Sequence, residues 1–162
     1  MIKYGINTFI WASPFRTKDL PLLSRAKSLG FDLVEIPIEG EQDIDYKKAA
    51  EEYRRTELAC SVCAVMGAGR DPSHDDEAIQ EGGVSYLKSL IEAAVALGSP
   101  IVAGPLYAAV GRTWRATSDQ RRRELDRCAK NLKQVARYAE DKGITLALEP
   151  LNRFETSLAS LL

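Results

Sequence analysis

The chain has 162 residues, with 22 Lys+Arg against 23 Asp+Glu, one His and a formal charge of −1. At 45% hydrophobic residues it can build the core of a single domain spanning 1–162. The balanced charge offers no field to a polyanion, which argues against nucleic acid as a partner, and no apolar run reaches the ~18 residues of a membrane span.

The first strand-like run covers residues 4–11. With one preceding Lys, and a Trp11 and Pro14 that close it early, it lacks a signal peptide's long apolar region and cleavage site, so a cytoplasmic location is expected. Thr17 then caps a helix over 17–29, with Pro21 in the first turn, where a missing N–H is tolerated, and Gly30 as its stop. Residues 31–39 read as strand, 45–55 as a short helix rich in Lys, Ala and Glu, and 58–66 as strand, followed by a glycine-containing loop over 67–72. Ser73-His74-Asp75-Asp76 resembles a capping box opening a long helix that Gly82 and Gly83 weaken early and Gly98 ends. Residues 101–107 form the fourth strand, 119–142 a helix ended by Gly143, and 145–151 the fifth strand. Residues 156–162 read as the first turns of a further helix.

The resulting βαβαβαβαβ order implies a parallel sheet with crossover helices. An open doubly wound sheet and a (β/α)₈ barrel of typically ~250 residues both have this order. In the fifth strand, Thr145, Ala147 and Glu149 share one face and Leu146 and Leu148 the other. A doubly wound sheet carries helices on both faces and needs both apolar. The expectation is therefore an α/β fold of TIM-barrel type, present as the first five strands with four connecting helices. No G-x-G-x-x-G follows the first strand, so no dinucleotide fingerprint is present.

Three cysteines do not suggest an oxidising compartment. Cys60 and Cys63 form C-x-x-C within a strand, where residues i and i+3 face opposite sides and cannot grip one metal; all three are read as buried, reduced thiols. Glu149 is more informative. A carboxylate near the C-terminal end of an apolar strand, buried there, would need a cation, a proton or an ion pair, for which Arg153 is the structural candidate. That end of a parallel strand is also where α/β proteins place their chemistry. Glu155 can line the same mouth from the following loop, and Glu35 is a second acid within an apolar strand.

The segment Leu148-Glu149-Pro150-Leu151-Asn152-Arg153-Phe154-Glu155-Thr156 resembles the Leu-Glu-x-x-Asn-Arg-Phe-Glu signature of the D-tagatose/D-psicose (allulose) 3-epimerases, within the xylose-isomerase-like sugar isomerase/epimerase superfamily. Gly30-Phe31-Asp32-Leu33-Val34-Glu35, residues 4–11 and Asp141-Lys142-Gly143-Ile144 resemble other strand entries of that family. The resemblance implies a metal-dependent (β/α)₈ enzyme acting on a small-molecule ketose. In it, the acid at position 149 ligates one divalent ion (Mn²⁺, Co²⁺ or Mg²⁺) and takes the C3 proton, and the acid at 155 holds the sugar near its carbonyl end. A metal ion on the C2 and C3 oxygens stabilises a cis-enediolate, and a second acid on the opposite face returns the proton, inverting C3. The family's remaining ligands, an Asp, a His and a second Glu, come from later strands. His74 does not match the metal His and is read as a surface residue at a helix start.

Asn7 falls where family members carry a substrate-facing Tyr, and residues 110–114 lack the family's aromatic. Trp11 and Phe15 are candidates for an apolar wall over the sugar, with core packing as the alternative. Gly67, after the third strand, is a candidate for close backbone approach to a ligand, with an ordinary turn as the alternative. Arg112, Arg115 and residues 121–123 read as a solvated basic face. The functional expectation is the N-terminal portion of a ketose 3-epimerase, inactive as 162 residues alone and homo-oligomeric. The alternatives are another sugar isomerase of the superfamily, such as hydroxypyruvate isomerase, and a non-catalytic half-barrel acting by association.

Overall fold

A computed structural model describes residues 2–113, 116–152 and 154–156. Strands and helices alternate as β1 (Gly5–Asn7), α1 (Pro21–Ser28), β2 (Leu33–Ile38), α2 (Tyr46–Thr56), β3 (Ala59–Ala64), α3 (Glu77–Leu97), β4 (Ile101–Gly104), α4 (Ser118–Asp141) and β5 (Thr145–Leu148). The element order matches the sequence reading, and several ends differ for local reasons. β1 stops at Asn7 because the Asn7 side chain accepts the Phe9 N–H and caps a 3₁₀ turn over Thr8–Ile10. Thr17 opens a 3₁₀ turn, and α1 begins at Pro21. Asp76, not Ser73, caps α3 by accepting the Ala78 N–H, because Ser73 is buried against Asp71. Thr117 and Gln120 form the capping box of α4. The expected helix over 156–162 falls, apart from Thr156, outside the described residues.

The sheet is parallel throughout, with strand order β1-β2-β3-β4-β5. Each strand lies beside its predecessor, with no reversal of direction. A doubly wound sheet reverses at a switch point; this sheet has the sequential order of a TIM-barrel-like fold and supplies five strands of it. The helices form one layer, α1 against α2, α2 against α3 and α3 against α4. Val34, Ile36, Ile38, Cys60, Val62, Ala64 and Val102 turn toward that layer and join Leu23, Ala49, Leu87, Leu90 and Val135 in the core. Each such large aliphatic side chain contributes about 1.5–3 kcal/mol by burial. Two helix tyrosines complete the seam: the Tyr53 hydroxyl donates to the Val34 carbonyl at 3.0 Å and the Tyr86 hydroxyl to the Ile38 carbonyl at 2.5 Å.

The opposite, inner face follows from the register. Asn7, Glu35 and Ser61 stand in one row, and Pro37, Cys63, Ala103 and Ala147 in the next. These small and polar residues match the face expected to point into a barrel.

Gly82 and Gly83 have a packing reason for interrupting a helix. A Cβ on Gly82 would sit 2.3 Å from the Gly69 carbonyl oxygen, and one on Gly83 3.0 Å from the Asp71 nitrogen. The glycines admit the loop after β3 against α3. Gly82→Ala is therefore expected to lose about 1–3 kcal/mol through overpacking, outweighing a helix-propensity gain of about 1 kcal/mol. A lowered urea midpoint with an unchanged slope is the expected result; an equal or raised midpoint refutes it.

Candidate active site

Glu149 directly follows β5, and its N–H donates to the Gly104 carbonyl at 2.9 Å. Strand alternation puts it on the inner face with Thr145 and Ala147. Cys63 reports the same placement: burial pushes its thiol up to about 12, with the Glu35 and Glu149 carboxylates adding to the rise and an Asn7 hydrogen bond opposing it. Glu149 is nevertheless exposed, not buried as the apolar strand suggested. Among the described residues β5 is the outermost strand, paired with β4, and none of them forms a further strand on its far side. In this chain the desolvation argument for a bound cation at Glu149 does not apply. Its suggested ion-pair partner, Arg153, lies outside the described residues.

Glu35 has its partners within the sheet. The Asn7 amide donates to one carboxylate oxygen at 2.8 Å and the Ser61 hydroxyl to the other at 2.9 Å. The three residues are in register across β1, β2 and β3. Asn7, a candidate substrate contact, gives one of its two amide N–H donors to Glu35 and its acceptor to the Phe9 N–H, bracing the inner face.

Glu155 is exposed, and its carboxylate accepts from the Asn152 amide. Its backbone is held from the neighbouring loop, where the Gly111 N–H donates to the Glu155 carbonyl at 2.7 Å. Tyr107, which in sequence reads only as a strand end, lies close enough to both acids to feel their charge. It is fully buried, and its hydroxyl accepts the Leu151 N–H at 2.8 Å. Burial raises the Tyr107 pKa, the Leu151 bond lowers it, and the carboxylates of Glu149 and Glu155 raise it. One buried phenol therefore feels both acids and pins the loop between them.

The other candidates separate. Phe15, at 1% exposure, belongs to the apolar core, so of its two readings the structure takes core packing; Trp11 is half-buried against the same core. A Cβ on Gly67 would meet nothing within 4 Å, so its surroundings are open. His74 is half-buried and its Nδ1 accepts the Asp76 N–H at 3.0 Å.

Arg112 is corrected outright. Its guanidinium is buried, donating to Asp71 at 2.6 Å, to Ser73 at 2.6 Å and to Glu124 at 2.6 Å. Alternating charges in sequence look like a solvated face, and only the approach of two loops shows that one of them is sealed. Arg115 lies outside the described residues, whereas residues 121–123 are exposed as expected. Burial alone would raise the Asp71 pKa, but the Ser73 hydrogen bonds and the Arg112 guanidinium hold it below the usual carboxylate range. A carboxyl depressed on folding stabilises the fold above its unfolded pKa of about 4 and loses that contribution as pH falls through the folded value. The stability gap between the native chain and Asp71→Asn is therefore expected to shrink from about pH 6 to about pH 3. A gap independent of pH in denaturant titrations contradicts this.

The cysteines are as expected: all three are free and buried, with burial pushing each thiol up to about 12. Among the described residues no group of three or more His, Cys, Asp or Glu is arranged to hold a metal ion. Glu149 is an accessible oxygen ligand of the type hard divalent ions prefer, so it fits as one ligand of such an ion and not as a complete site. No helix among the described residues is long and apolar enough to cross a membrane.

Comparison with known proteins extends the geometry. The chain is 30% identical over 159 residues to the L-ribulose 3-epimerase of Mesorhizobium japonicum, covering 98% of this chain and 52% of that protein. It superposes on a solved L-ribulose 3-epimerase with a TM-score of 0.88 at 32% identity, over 98% of this chain and 52% of the other. It superposes on the D-allulose 3-epimerase of a Methylomonas species, solved with D-allulose, with a TM-score of 0.86 at 25% identity, over 97% of this chain and 54% of the other. The chain thus spans about half the length of the curated relatives it matches. Residues 23–161 match the family described as xylose isomerase-like TIM barrel. With that match and its sequential five-stranded parallel sheet, the chain belongs to the xylose isomerase-like TIM barrel family.

Proposed function

We propose that this chain supplies one half of a divalent-metal-dependent ketose 3-epimerase that inverts C3 of a free ketohexose. The observation that carries the reading is the placement of Glu149 on the inner face at the C-terminal end of β5, with Glu155 held six residues on. The relatives, named as ketose and L-ribulose 3-epimerases, support it. Glu149 takes the C3 proton, which the adjacent ketone makes weakly acidic, and Glu155 accepts hydrogen bonds from hydroxyls at the carbonyl end of the sugar. A Mn²⁺, Co²⁺ or Mg²⁺ ion would take an oxygen ligand from Glu149 and supply positive charge beside the substrate oxygens. Tyr107 and the Gly104 carbonyl fix the backbone on which the two acids stand.

Inversion needs a proton donor on the opposite face of the sugar, because a single base returns the proton to the side it came from. By the family resemblance, that donor is a second Glu on a strand later than β5. The 162-residue chain alone is expected to convert neither D-fructose nor D-tagatose with Mn²⁺ present. Co-folded with the remaining half of the Mesorhizobium relative, it is expected to incorporate deuterium at C3 and release epimer. Rapid epimerisation by the isolated chain, or a folded complemented complex with no C3 exchange, refutes the reading. Three free cysteines suit the reducing cytoplasm in which we place the enzyme.

A second reading, a half-barrel that works by association in a homo-oligomer, is favoured by the outer strands. Among the described residues β1 and β5 each have one unpaired edge, and Ile2, Tyr4, Ile10, Leu148 and Phe154 are exposed. Light scattering on the eluted chain separates the two: a concentration-independent monomer excludes association.

A further inference from the structure

The loop after β4 works as a crossbar between its neighbours. On one side, the Val110 N–H donates to the Met66 carbonyl at 3.0 Å, and Arg112 reaches Asp71 and Ser73 in the loop after β3. Below, Arg112 is tied to Glu124 on α4. On the other side, Gly111 holds the Glu155 carbonyl, and Arg112 pairs with Thr156 in an isolated parallel bridge. The fixed end is charged and sealed, with the side chains of Arg112, Asp71 and Glu124 exposed by 8%, 1% and 8%. The held end carries an exposed carboxylate on a short turn, with Glu155 and Thr156 both donating to the Asn152 carbonyl.

We propose that Arg112 is a positioning residue for Glu155: its buried grip on Asp71 and Glu124 fixes the Gly111–Thr156 ladder and so sets where the Glu155 carboxylate stands over the mouth. The proposal rests on the epimerase reading for the role of Glu155, and it adds the residue that places that acid. With its guanidinium buried, Arg112 acts through the Gly111 N–H. A guanidinium suits the task because its planar fork reaches two carboxylates at once, whereas an ammonium is a single point charge.

The test is amide hydrogen exchange and amide NMR on the 162-residue chain. Arg112→Lys keeps the charge but cannot span both acids. Its Gly111 amide is expected to exchange at least tenfold faster relative to the native chain, beyond any change at Ile36 and Val62, and its resonance is expected to move upfield as the bond to Glu155 lengthens. Glu124→Gln is a second, milder variant with the same expected direction. Loss of protection in equal proportion at Gly111, Ile36 and Val62 makes Arg112 a general stabiliser and overturns the proposal, as does unchanged Gly111 protection in both variants. Exchange needs no substrate, so this outcome is independent of the C3-deuterium assay that judges the epimerase reading.

Discussion

Glu149→Gln, placed in the complemented barrel, is expected to lower C3-proton exchange by roughly 10²–10⁴-fold, the range that loss of a positioned general base produces. The amide matches the carboxylate in size and cannot accept a proton at neutral pH. The side chain is exposed, and the Gly104 carbonyl holds its backbone N–H, not its carboxylate. In the 162-residue chain the substitution should therefore leave thermal stability within about 0.5 kcal/mol, the usual scatter for surface changes. That combination matters, because it lets the kinetic loss be read as chemistry. Glu155→Gln is the companion: it keeps one acceptor for the sugar hydroxyls and should raise KM more than it lowers kcat. Deuterium incorporation at C3, followed by NMR, is the measurement. An E149Q enzyme that exchanges C3 at the native rate removes Glu149 from the reaction.

Arg112→Met is expected to destabilise the chain by about 3–5 kcal/mol, the cost of leaving buried carboxylates without their cation. For a domain of this size that lowers Tm by roughly 6–20 °C. The loss arises from Asp71 and Glu124, which remain desolvated once the guanidinium is gone. The combination Arg112→Met with Asp71→Asn and Glu124→Gln removes the stranded charges and should recover most of the loss. Urea titration of the single and triple variants checks both statements. A triple variant as unstable as the single one would mean that the methylene packing of Arg112, not its charge, supports the fold.

Much of the fold is legible in the residues. Gly30, Gly98 and Gly143 end helices at positive φ, as their places after periodic apolar runs suggest. The small and polar face of β5, with Thr145 and Ala147, correctly separates a barrel-type sheet from a doubly wound one. Element ends were less legible, because single side chains decide them: Asn7 diverts β1 into a turn, and Ser73 is withdrawn from capping by its contact with Asp71. The site divides in the same way. The motif around Glu149 and the loop acid Glu155 can be read along the chain, since both lie in one continuous stretch. Tyr107 and Arg112 cannot, because their importance comes from residues 44 and 41 positions away.

Local patterning, through the period of apolar residues, the helix stops and the alternation of side-chain size along strands, was enough to specify a sequential parallel β/α chain and to place a carboxylate at the end of its fifth strand. Those properties depend on neighbours within a few residues. Exposure and charge pairing do not, because they depend on which surfaces meet. Folding left Glu149 open at an outer strand, bound Glu35 between Asn7 and Ser61, and sealed Arg112 between two acids, Asp71 from the loop after β3 and Glu124 from α4. Whether a charge in this chain is solvated or paired is set by that three-dimensional approach, since the cost of burying it arises only when another element excludes the water.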